Sequence, residues 1–304
     1  MVSWGGLAMR AKARRFLIGA VVSCLALLCT SLPAMAVVDP PAPPLEHARN
    51  DYQEALDAID ARRWDDYGKL RSSLDAYPLS IYLDYFELTG QAHKIRPPEA
   101  NRFLQSSRDT PLPNRFLGVY LRQAGKRERW QDFLAVMPTE PNSVVLKCYY
   151  FRARLANGEP EIAWEGASRL WVHGRSQPEE CDPLFSAWQK SGALSDDIVW
   201  ARLLEAFDER QRSLMRYVAS RGSDALRPWS DKLLAVYASP ARLGRESLPA
   251  DSSYSADIAS HGVGQLTRYS PEQAQAMWEA FRGLLECRKQ QRRDAENASA
   301  LGRL

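Results

Sequence analysis

Apolar positions along this chain recur at helical spacing. Tyr52, Ala55, Leu56 and Ile59 fall at i, i+3, i+4 and i+7. That spacing places them on one face of an α-helix. Trp200, Leu203, Leu204 and Phe207 repeat the pattern, and so do Ala274, Met277, Trp278 and Phe281. Strict period-two alternation is almost absent. Val144-Val145-Leu146 is the best strand candidate, but it runs directly into a long helix-compatible stretch. The pattern becomes helical near Asn50 and stays so.

The punctuation agrees with helices. Ser270 is a cap residue, Pro271 suits a first helical position, and Gln273 completes a capping-box pattern. Pro160 opens another helix after the stop-and-turn dipeptide Asn157-Gly158. Gly125, Gly192 and Gly222 each follow an apolar-periodic segment, where a left-handed terminal residue is expected. Helices of about 10 to 15 residues joined by short turns make helix hairpins. One hairpin cannot bury its apolar face alone, whereas stacked hairpins share a continuous core. The predicted fold is all-α, an irregular α-superhelix built as a solenoid of stacked hairpins. A single irregular helical domain is the alternative. No strict 34-residue repeat recurs, although Glu161-Ile162-Ala163-Trp164 through Leu170-Trp171 is repeat-like.

The ends have a different composition. Arg10, Lys12, Arg14 and Arg15 precede an apolar run from Phe16 to Leu32, and Ala34-Met35-Ala36 follows. Residues 1–36 therefore read as a cleavable signal peptide and predict export to the periplasm. A retained anchor and lipidation at Cys24 are the two alternatives. Residues 37–49 read as a Pro-rich leader, 50–286 as the superhelical scaffold, and 287–304 as a polar tail that completes no terminal repeat. Removing the signal takes four positive charges with it. The formal charge then falls from +3 to −1. No net basic field remains to draw nucleic acid, and no stable membrane insertion is expected after cleavage.

Cys148, Cys181 and Cys287 remain after cleavage. An oxidising compartment permits one disulfide among them, and three pairings are open. The four histidines are far apart and no CxxC pair occurs. No metal and no cofactor is predicted.

Three segments together resemble the N-terminal superhelical domain of the soluble lytic murein transglycosylase family. The first is Tyr77-Pro78-Leu79 with Tyr82-Leu83-Asp84-Tyr85. The second is Cys148-Tyr149-Tyr150-Phe151 with Gly158 and Ala163-Trp164. The third runs Leu170-Trp171, Gly174, Ser176-Gln177-Pro178, Cys181-Asp182, Leu184-Phe185, Trp188 and Gly192. The resemblance implies a periplasmic helical scaffold. In the family a separate C-terminal lysozyme-like domain carries a catalytic glutamate. That domain cleaves the β-1,4 bond between N-acetylmuramic acid and N-acetylglucosamine and leaves a 1,6-anhydro product. This domain is expected to be absent here. The implied partners are peptidoglycan glycan strands and other cell-wall enzymes. A free-standing periplasmic scaffold or adaptor for such enzymes is the alternative function. The resemblance also implies a Cys148–Cys181 disulfide, leaving Cys287 as the odd thiol. Stacked hairpin helices would bring those two ends within bonding reach.

One stretch imitates the family's catalytic motif. Glu246-Ser247 is followed by Gly262-Val263-Gly264-Gln265, which lacks the Leu-Met of the family's glycine loop. Glu246 is therefore read as a linker residue, and no catalytic residue is assigned. Asp65-Asp66 and Asp196-Asp197 suit helix starts better than metal binding. Trp64, Trp130, Trp164, Trp171, Trp188, Trp200, Trp229 and Trp278 are expected in the core rather than stacked on sugar. Arg62-Arg63 and the cluster Lys126, Arg127 and Arg129 are expected on solvated faces.

Overall fold

A computed structural model describes residues 45–286, together with 289, 290 and 293. The signal segment 1–36, most of the leader, Cys287 and most of the tail lie outside the described residues. Among the described residues there is no strand. The α-helices run α1 Leu45–Asp60, α2 Trp64–Ser73, α3 Ser80–Gly90, α4 Pro97–Ser106 and α5 Leu112–Lys126. They continue as α6 Trp130–Val136, α7 Val144–Ala156, α8 Pro160–Trp171, α9 Asp182–Lys190 and α10 Asp196–Asp208. Then come α11 Arg212–Ala219, α12 Arg227–Ala238, α13 Ser253–Leu266 and α14 Pro271–Ala280. Two 3-10 turns, Glu179–Cys181 and Pro240–Arg245, precede α9 and α13. The fold is an all-α superhelix of stacked hairpins.

Neighbours in sequence are neighbours in space. The pairs α1/α2, α5/α6, α7/α8 and α10/α11 pack as hairpins, and α7 also lies on α5 and α9. Helix α1 begins at Leu45, earlier than the periodicity indicates. The prolines stop at Pro44, so nothing after it blocks the helical ladder. Val144-Val145-Leu146 opens α7 and is not a strand.

Four hairpins share one turn. Arg62, Glu128, Gly158 and Arg210 all take positive φ, between 53° and 81°. The next N–H reaches back five residues each time. Arg63 donates to Ala58 at 2.8 Å, Arg129 to Ala124 at 2.9 Å, Glu159 to Arg154 at 3.0 Å and Gln211 to Ala206 at 2.8 Å. This satisfies a helix-end carbonyl and reverses the chain. The following residue, Trp64, Trp130, Pro160 or Arg212, opens the next helix. Three residues later a side chain enters the core: Tyr67, Phe133, Ala163 or Met215. The repeat is therefore structural even though no fixed period marks it.

Glycines act differently from the expectation at two positions. Gly192 is left-handed, φ +79°. Gly125 instead lies inside α5, where a Cβ would stand 2.3 Å from the Tyr149 ring. Gly222 has no left-handed backbone and faces Leu226. Ser270 does cap α14, but its side chain makes no capping hydrogen bond.

The apolar interior forms two clusters. Ala48, Ala55, Ala58, Ile59, Tyr67, Leu74 and Leu83 pack within α1–α3. The larger cluster runs continuously from Leu88 to Val263. Its largest fully buried side chains include Trp171 and Trp188, packed edge to face with ring centroids 5.8 Å apart.

Candidate functional site

The third resemblance segment builds one wall of a recess in the described structure. Cys148, in α7, and Cys181, just before α9, are joined by a disulfide with Cα atoms 4.8 Å apart. The bond pins the start of α9 to α7 across the intervening α8. From Trp171 the chain leaves α8 and crosses α10. Gly174 permits that crossing, because a Cβ there would stand 2.5 Å from the Glu205 carbonyl oxygen. Arg175 fastens the loop to Glu209 at 2.8 Å. Between this loop, α9 and the α10/α11 hairpin lies a crevice of about 870 Å³. Trp171, Phe185, Leu214 and Tyr217 provide apolar wall, and Arg202, Lys190, Arg221 and Asp182 provide charge.

Arg202 is the unusual member. It is only 3% exposed, its Nε is buried without a hydrogen-bond partner, and no ion pair to it is found among the described residues. Its guanidinium carbon lies 4.5 Å from the centroid of the Trp171 ring, a cation–π contact. Burial pulls its pKa down to about 10. Gln189, also lining the crevice, has a buried amide nitrogen without a partner. Neither residue stands out in the sequence. Arg202 occurs inside the α10 apolar stripe, and that misplaced charge was the available signal.

A smaller recess of about 190 Å³ is lined by Phe207, Asp208, Tyr237, His261 and Gln265, among others. His261 Nε2 lies 3.5 Å from Asp208. Nearby, the buried Asp257 accepts a 2.7 Å hydrogen bond from the Trp200 indole.

The motif-like stretch takes a different form from a glycine loop. Gly262 to Gln265 lie inside α13, with Gly262 tight against Val236 and Leu243. Gln265 donates its amide to the Tyr237 carbonyl at 3.1 Å. Glu246 is half-buried in the turn after the second 3-10 segment, and it lines neither recess. Asp65-Asp66 and Asp196-Asp197 occupy the first turns of α2 and α10. Asp196 also accepts from Ser223 N at 2.9 Å and Ser223 Oγ at 2.5 Å. Trp171, Trp188 and Trp200 are buried, while Trp278 is 40% exposed. Arg129 is not on a solvated face. Its guanidinium donates to the carbonyls of Ile95 at 2.8 Å and Ala92 at 3.2 Å, and to Asp132 at 3.1 Å. Those carbonyls belong to the segment between α3 and α4, so the cation closes a gap that apolar packing cannot.

Two kinds of match to known proteins were found, and they disagree. A family model described as Cucumovirus coat protein matches residues 162–239. The match covers well under half of the chain, and residues 162–239 here run through the helices α8 to α12. The soluble lytic murein transglycosylase of Salmonella typhimurium is 33% identical over 148 residues, 49% of this chain and 23% of that protein. The crystal structure of the 70 kDa soluble lytic transglycosylase from Escherichia coli superposes with a TM-score of 0.66. It covers 80% of this chain and 40% of that one at 24% identity, and so speaks for the fold. An inactive mutant of lytic transglycosylase Slt from Pseudomonas aeruginosa gives a TM-score of 0.65 at 32% identity. That match covers 76% of this chain and 38% of the other. The longer matches, in which sequence and helical path agree, decide between the two. The class is an all-α superhelical fold. Within that class, the chain resembles the superhelical portion of the soluble lytic murein transglycosylase family. The matched stretch spans less than a quarter of the curated relatives' length.

Proposed function

We propose that residues 45–286 form the scaffold of a periplasmic lytic transglycosylase-type protein, holding peptidoglycan glycan strands without supplying the catalytic acid. The reaction such a scaffold serves is cleavage of the MurNAc–GlcNAc β-1,4 bond to a 1,6-anhydro end. The observation that carries this reading is the shared helical path, a TM-score of 0.65 at 32% identity over 76% of the chain. The acid chemistry supports it. Protonating a glycosidic oxygen near neutral pH takes a carboxyl in a desolvated pocket. Glu246 sits instead in a turn with part of its surface in water. Export by the signal at residues 1–36 belongs to the same proposal.

Purified murein sacculi test it. The protein is expected to co-sediment with sacculi and to release no 1,6-anhydro muropeptides. Release that disappears in Glu246→Gln would overturn the reading, as would failure to co-sediment.

A further inference from the structure

We infer that the crevice between the loop after α8, helix α9 and the α10/α11 hairpin is a binding site for a carboxylate-bearing ligand, with Arg202 as its counter-ion. A largely buried guanidinium whose Nε has no partner is destabilising unless an anion pairs with it. Proteins usually pair such a group or replace it. Arg202 is 3% exposed, with the Trp171 ring face against its guanidinium and no carboxylate paired to it among the described residues. It lines an open recess, so an anion can reach it from solvent. Gln189, on a different helix, adds a second buried donor without an acceptor.

The lining narrows the class. Arg202, Lys190 and Arg221 set three positive charges around the recess, against one negative charge from Asp182. Trp171, Phe185, Leu214 and Tyr217 form the apolar part of a mostly polar lining, with Arg221 stacked 4.8 Å over the Tyr217 ring. A carboxylate on a larger, partly apolar body suits that mixture. A free inorganic dianion would leave the aromatic wall unused and meet Asp182. A recess of about 870 Å³ is in the size range of small-molecule sites.

The source of the carboxylate rests on the peptidoglycan reading. That polymer offers two: the lactyl carboxylate of a muramic residue that carries no peptide stem, and the free carboxyl end of a stem where one is attached.

The test is calorimetric titration of the full chain with four probes: N-acetylmuramic acid, N-acetylglucosamine, D-alanyl-D-alanine and inorganic phosphate. At least one of the two carboxylates is expected to bind at least tenfold more tightly than N-acetylglucosamine and phosphate. Whichever binds identifies the source. Arg202→Met keeps an unbranched apolar stem, shorter than arginine, and drops the charge. It is expected to weaken the carboxylate at least tenfold while leaving Tm unchanged or higher, since it removes an unpaired buried cation. Gln189→Met, from the other wall, is expected to weaken it severalfold, and serves if Arg202→Met does not fold. Failure of both carboxylates overturns the inference, as does phosphate binding equally well. So does an Arg202→Met protein with lower Tm and unaltered binding, which would mark a purely structural cation. Sacculi are titrated in parallel. Sacculus binding without small-carboxylate binding sinks this inference alone. The reverse result sinks the scaffold reading and leaves the crevice standing.

Discussion

Gly166 lies where α8 meets α7 so closely that a Cβ would stand 2.3 Å from the Phe151 ring. Phe151 is 1% exposed, so the ring has nowhere to go. Gly166→Ala is expected to cost about 1–3 kcal/mol by overpacking, read as a lower urea midpoint with an unchanged slope. Glu140 makes a different kind of joint. Burial acts to raise its pKa, but hydrogen bonds from Lys147 at 2.8 Å and Arg169 at 2.9 Å outweigh that and hold it below the usual value. A depressed carboxyl stabilises the fold above its unfolded pKa, about 4.3. That contribution is lost as the pH falls through the folded value. Glu140→Gln is therefore expected to be less stable than the parent at pH 7, by about 1 kcal/mol. The gap should close in melts run below about pH 4. Single residues were the least legible level in the sequence. Arg129 reads as a surface charge because its acceptors lie 34 and 37 residues away. Arg202 shows in the sequence only as a charge inside the α10 apolar stripe, and its contact with the Trp171 ring on another helix does not show there.

Helices were far easier to read. The stripes beginning at Tyr52, Trp200 and Ala274 became α1, α10 and α14 because each needs only local spacing and one apolar neighbour. The turns between them were hidden. A left-handed residue after a helix normally advertises itself as glycine, and of the four turns that share the five-residue return only the one at Gly158 does so. Arg62, Glu128 and Arg210 carry side chains in a backbone that disfavours them, and buried anchors hold the turns shut. Relieving one such position should stabilise the hairpin. Arg210→Gly is expected to gain up to about 1 kcal/mol through removed strain, and Gly158→Ala to lose a similar amount. Thermal melts of the pair check both signs. Equal shifts in one direction would show that the turn geometry is not what limits these joints.

At the scale of the whole described unit, the interior is divided. Leu83 belongs to the cluster within α1–α3, while Leu88, on the same helix, belongs to the long cluster that continues to Val263. Helix α3 is thus the shared plank between two cores. Stacked-hairpin proteins open in contiguous blocks when contacts are mostly between neighbours. Native-state hydrogen exchange is expected to show α1 and α2 opening together, at lower free energy than α7 to α10. A single opening energy across all helices would contradict this. The division was not legible in the sequence, because the apolar stripes on α1–α3 look the same as those further on.

The sulfur–sulfur bridge has a mechanical consequence. Tension pulled along the backbone from either end enters at Cys148 and leaves at Cys181 through a covalent shortcut. The 33-residue separation between them then pays out no slack, about 110 Å of contour length. Load applied elsewhere along the chain leaves α8, with Trp171 at its end, and the loop that follows it unloaded. Reducing the bridge would put that hidden length in series with the load.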